Sequence, residues 1–164
     1  AYLAWDRDTL YVGMEGADMA SGSATRFVLA YLGGTGGTTA GQSYNTQSPA
    51  LPFDAKWHVR WKADNTLTGA QEWNGASWVD VGSWSPAAFQ AGTFVELSIP
   101  LAELGSPTTL PVHLSMVNEL GGSEATYSVA PATSIAADGY DPDYAEYFLL
   151  DLTGSTVPSA HVAQ

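Results

Sequence analysis

Asn74-Gly75 separates two short runs of strand character, GAQEW before it and ASWVDV after it, and no other signal constrains the fold as tightly. Asn and Gly both tolerate positive φ, which a type I′ turn demands at its two central positions, and primed turns match the twist of the strands they join. The sequence therefore predicts a β-hairpin here. A second hairpin is predicted at the start, where the apolar strands Ala1–Trp5 and Leu10–Ala17 flank Asp6-Arg7-Asp8-Thr9, whose short polar side chains can bond a turning backbone. Arg26–Leu32 is a compact apolar run. Trp57, Val59 and Trp61 alternate with His58, Arg60 and Lys62, the period of a half-buried strand. Phe94–Pro100 and Pro111–Leu120 alternate likewise, and Ala145–Leu152 closes the set. Residues 33–52 hold no apolar period and read as a long surface loop, while only Leu101–Leu104 suggests a helical turn.

Seven to ten short strands without an amphipathic helix define an all-β chain, an antiparallel β-sandwich of immunoglobulin or jelly-roll type. One domain is expected over residues 1–154, with 155–164 as a C-terminal tail or linker. Composition narrows the partners. Five Lys and Arg stand against 17 Asp and Glu, and the net charge of -12 would repel phosphate backbones and anionic lipid, so nucleic acid and membrane surfaces are not expected partners. Without cysteine there is no disulfide, thiolate metal site, thiol nucleophile or c-type haem attachment. No apolar run reaches the ~20 residues that span a bilayer. The first residues already read as a strand and lack the features of a signal peptide, which suggests a leader or a further strand in a longer parent protein. The acidic, Thr-, Ser- and Gly-rich composition points to an exported bacterial domain, extracellular or on the cell surface.

Taken in order, AWDRDTLYVGMEGADM, then WKADNT with EWNGASWVD, then FVELSIPLAELG, then an alternating strand ending in Asn118-Glu119, resemble family 9 carbohydrate-binding modules and related DOMON-like sandwiches. The resemblance implies a β-sandwich that holds a sugar between two Trp rings, although no Trp pair here matches that site residue by residue. Some DOMON relatives bind haem through Met and His.

Six Trp and eight Tyr fit the sugar reading, because an aromatic face stacks on the C–H face of a pyranose while polar groups bond its hydroxyls. Trp57 and Trp61 share an apolar strand face and are expected in the core. Trp73, Trp78 and Trp84 lie at or near turns and are the candidate platforms, with Arg60, Lys62, Glu72, Asn74 and Asn118 as candidate hydroxyl partners. Asp138, Asp141 and Asp143, followed by Glu146, set carboxylates at short spacing in a Gly- and Pro-containing loop, which suits calcium but lacks the EF-hand pattern. His58, His113 and His161 show no zinc-ligand spacing, and Met14 and Met116 fall on core positions, so neither zinc nor haem is expected. No GxSxG elbow or catalytic triad stands out. The expectation is a non-catalytic carbohydrate-binding module taking an oligo- or polysaccharide, attached to other domains of its parent protein. The alternative is an adhesive domain that pairs with another chain through an open sheet edge.

Overall fold

The computed structural model describes residues 1–84, 86–132 and 140–154, and the backbone of 136–138 and 162–163. In chain order the strands are β1 (Tyr2–Trp5), β2 (Thr9–Glu15), β3 (Arg26–Ala40), β4 (Ala50–Lys62), β5 (Thr68–Trp73), β6 (Trp78–Asp80) and β7 (Ala87–Ala91). They continue with β8 (Phe94–Pro100), β9 (Thr109–Leu120), β10 (Ser123–Ala130), β11 (Ala136–Asp138), β12 (Asp141–Asp143), β13 (Phe148–Asp151) and β14 (Val162–Ala163). Single 3-10 turns occupy Ala17–Ala20 and the predicted Leu101–Leu104. A four-stranded sheet runs β1-β2-β8-β7. The ten-stranded sheet is centred on β4-β3-β9, with β5, β6, β11 and β12 beyond β4 and β10, β13 and β14 beyond β9. All pairs are antiparallel except β12 with β4. The protein is an all-β sandwich.

Alternation explains which faces meet. Leu10, Val12 and Met14 of β2 and Val95, Leu97 and Ile99 of β8 pack against Val28, Ala30 and Leu32 of β3, Val59 and Trp61 of β4, and Leu110, Val112, Leu114 and Met116 of β9. The first hairpin forms as predicted, and Asp6 Oδ1 accepts the Asp8 and Thr9 N–H groups within its turn.

Three expectations are corrected. Residues 33–52 are not one loop: 33–40 prolong β3 and 50–52 begin β4, leaving 41–49 between them. The apolar period is missing because the backbone itself is the packing surface. A Cβ on Gly33 would lie 2.7 Å from the Pro111 ring and one on Gly34 2.5 Å from the Trp57 ring. The Asn74-Gly75 hairpin is present, but Trp73 pairs with Trp78, so the loop is Asn74–Ser77 instead of a two-residue turn. Asn74 Oδ1 accepts the N–H groups of Ala76 and Ser77 and favours this wider turn. Finally, β4 is not half-buried. Its outer face, with His58 at 0% exposure and Arg60 at 9%, is roofed by a further layer built from 41–49, Trp78 and Tyr144.

Of the expected tail 155–164, residues 155–161 and 164, with His161, lie outside the described residues; Val162–Ala163 pair with Phe148 and Leu149.

Candidate functional site

A bulge in β4 borders an open groove. Leu32 pairs with Trp57 but the next residue, Gly33, pairs with Ala55, so Lys56 is the extra residue. The alternation reverses there: Leu51, Phe53 and Ala55 fall on the outer face with His58, whereas Asp54, Lys56 and Trp57 line a groove of about 610 Å³. Its other walls are Thr35, Pro107, Thr109 and Pro111. Trp57 is half-buried, with its six-membered ring against the Gly34 backbone. Lys56 Nζ sits 2.8 Å from Glu72 Oε1 and donates to the Trp73 carbonyl at 2.6 Å, which fixes that wall. Asp54 is exposed. An indole beside a carboxylate and two threonine hydroxyls suits a polyol with one apolar face.

The residues expected to form the site are not brought together. Trp73 and Trp78 meet edge to face at 5.8 Å across the hairpin, both half-buried, and Trp78 donates its indole N–H to the Ala40 carbonyl. Trp84 is corrected from platform to core. At 9% exposure it packs with Ala70 between the sheets, because its segment carries the chain from β6 in one sheet to β7 in the other. Arg60 binds Asp80 at 2.9 Å and lines with Trp84 a shallower groove of about 290 Å³ at the edge of β5. Lys62 pairs with Asp64 at 3.2 Å, Glu72 with Lys56, and Asn118 accepts the Thr25 hydroxyl. Asn74 is occupied within its turn. Trp57, expected in the core, packs against it while half-buried and also lines the open groove. The doublet Gly33-Gly34 was the available signal, since glycine inside a strand marks close approach or a bulge.

Among the candidate calcium ligands, Asp141 Oδ1 accepts the Ser48 N–H at 2.7 Å, and Asp141 and Asp143 line an open groove with Thr39 and Ser48. Glu146 is half-buried further along, and the Asp138 side chain lies outside the described residues. No group of three His, Asp or Glu side chains arranged to hold a metal occurs among the described residues.

The outer layer holds the most unusual polar chemistry. Glu124, 3% exposed, accepts four consecutive backbone N–H groups: Tyr44 and Asn45 on Oε1, Thr46 and Gln47 on Oε2. On the same outer face, His58 stacks on Tyr31 with centroids 4.5 Å apart, and His113 stacks on Tyr144 at 4.1 Å. Both imidazoles are fully buried, and no ring nitrogen has a hydrogen-bond partner. Burial, with the Arg60 charge adding and Gln71 opposing, lowers the His58 pKa to about 3, and burial lowers that of His113 to about 4.

Fold and groove define the class: a β-sandwich with a Trp-lined open groove. No family model, curated protein or solved structure matches the chain. No helix among the described residues is long and apolar enough to cross a membrane.

Proposed function

We propose that this domain is a non-catalytic carbohydrate-binding module of a secreted or cell-surface protein, and that the glycan lies in the Trp57 groove, not on the hairpin. One observation carries the reading: half-buried Trp57, at the end of the inward row it shares with Val59 and Trp61, lines an open groove beside Asp54, Thr35 and Thr109. Affinity electrophoresis against a polysaccharide panel tests it. Retardation by at least one polysaccharide is expected, lost about tenfold or more in Trp57→Ala and kept in Trp73→Ala. Retardation abolished by Trp73→Ala and kept in Trp57→Ala would move the glycan to the hairpin, and a folded protein retarded by none would overturn the reading.

Calcium at Asp141 and Asp143 is part of this proposal. Calcium is expected to raise Tm over its value in chelator by several degrees, a gain that Asp143→Asn removes; identical melting in both conditions would remove the ion from the proposal.

A second reading, edge pairing with another chain, is favoured by β7. Its sequence AAFQA carries no charge to block an added strand, and Phe89 is 63% exposed. Dimers that form with rising concentration and vanish in Phe89→Lys would support it.

A further inference from the structure

We infer that residues 41–49 form an acid-released lid over the outer face of the large sheet, clasped by Glu124 and unlatched when His58 and His113 take up protons. The inference is independent of the glycan reading.

The clasp is local. Glu124 holds the four amides of Tyr44–Gln47, Gln47 Nε2 donates to the Tyr140 carbonyl, and Ser48 N–H donates to Asp141. Gly41 N–H to the Pro49 carbonyl at 2.7 Å and Ser43 N–H to the Gln47 carbonyl at 2.9 Å close the loop on itself. Tyr31 donates its hydroxyl to the Gln42 carbonyl, and Tyr44 stacks on Phe27 at 4.0 Å. None of these bonds belongs to the sandwich core, so the loop can lift while the two sheets stay packed.

Within this outer layer the imidazoles can be buried only as neutral rings. A proton adds a charge and a second N–H donor where the two nitrogens already lack partners. Among the groups facing the layer, only Gln71 offers partial relief, to His58. From β4, Arg60 and Lys62 carry the same sign and are paired with Asp80 and Asp64. From β3 and the chain after β12 come the phenols Tyr31 and Tyr144, and Gln71 of β5 is uncharged. The layer's own carboxylate, Glu124, is already saturated by four donors. Lifting the lid together with Trp78 and Tyr144, the ring neighbours of His58 and His113 in the same layer, returns both rings to water, where histidine titrates near 6.5.

The direction follows from proton uptake. The closed state holds His58 at about 3 and His113 at about 4, and in the open state both titrate near roughly 6.5, so the closed lid is fully stable above pH ~6.5 and weakens as pH falls from there. Each histidine multiplies the opening constant about tenfold per pH unit, and the pair about a hundredfold, until the closed-state values are approached.

Hydrogen exchange of the full chain, corrected for intrinsic amide rates, reads this directly. Between about pH 6 and about pH 4.5 the logarithm of the opening constant for 41–49 is expected to rise with a slope near 2 per pH unit, while β2 and β8 stay protected. His58→Phe or His113→Phe should each reduce the slope to about 1 and the double variant to about 0. Glu124→Gln should raise opening about tenfold at every pH and keep the slope. A flat profile in the unmodified protein, an unchanged slope in the double variant, or loss of β2 and β8 protection together with the lid would each overturn the inference. Should the double variant not fold, imidazole NMR titration of the unmodified protein decides. His58 and His113 must stay neutral until lid exchange accelerates, and protonation at a pH where the lid remains protected would refute the latch.

Discussion

Trp61 is fully buried, and its indole N–H finds an acceptor in Asn65 Oδ1 at 3.1 Å. Asn65 itself sits at φ 58°, a left-handed conformation that Asn tolerates better than most residues. One side chain thus serves two needs. Asn65→Ala is expected to cost about 1–3 kcal/mol in a denaturant melt, because it orphans a buried donor and places Ala at positive φ. Trp61→Ala and Trp84→Ala should each cost ~3–5 kcal/mol by deleting a core indole. Trp57→Ala should cost clearly less while removing ligand binding, and equal melting losses for the three would sink that division. At this scale the sequence was readable where alternation is one-sided. By period alone Leu10, Val12 and Met14 share one face of their strand, as do Val95, Leu97 and Ile99 of theirs, and both faces turn inward. The half-exposure of Trp57 and the burial of Trp84 were not legible, because Trp57 sits where its inward row meets an open groove and Trp84 lies on a sheet-to-sheet crossing, and neither circumstance leaves a period.

Among the elements, β3 shows how close packing hides a strand. Its first seven residues announce themselves by apolar character, while Gly33, Gly34 and Gly37 are there because Pro111, Trp57 and the Ala55 carbonyl occupy the space a Cβ would need. Gly34→Ala is expected to destabilise by about 1–3 kcal/mol through overpacking and to displace the Trp57 ring. Reduced ligand affinity with a shifted fluorescence maximum would follow; an unaltered spectrum and unaltered Tm would show that the ring yields freely. The hairpin at Asn74 was legible as an element and wrong in register. Asn-Gly announces a turn, but Asn74 Oδ1 accepts two following amides and widens the loop.

Over the whole molecule, charge is concentrated on one sign. Four of the five Lys and Arg are committed to ion pairs, Arg26 to Asp18, Lys56 to Glu72, Arg60 to Asp80 and Lys62 to Asp64, within a net charge of -12. Surface pairs contribute at most about 1 kcal/mol each, so self-repulsion among the carboxylates is the larger salt-sensitive effect. Raising salt from about 0.01 M to about 0.5 M should therefore raise Tm by a few degrees, since the screening length falls from about 30 Å to a few Å. A fall in Tm would mean that the ion pairs outweigh the repulsion.

The sequence by itself determined the all-β class, the helical turn at Leu101–Leu104, and the alternating faces of β2 and β8, because a two-residue period and turn chemistry are local properties of the chain. Only the tertiary structure decided which side of the large sheet each aromatic occupies, that His58 and His113 are sealed beneath a third layer, and that Glu124 reaches back 77 residues to clasp the Gln47 amide. Those outcomes depend on bulges, close backbone approach and long-range hydrogen bonds, which are settled by what lies opposite a residue and not by its neighbours in sequence.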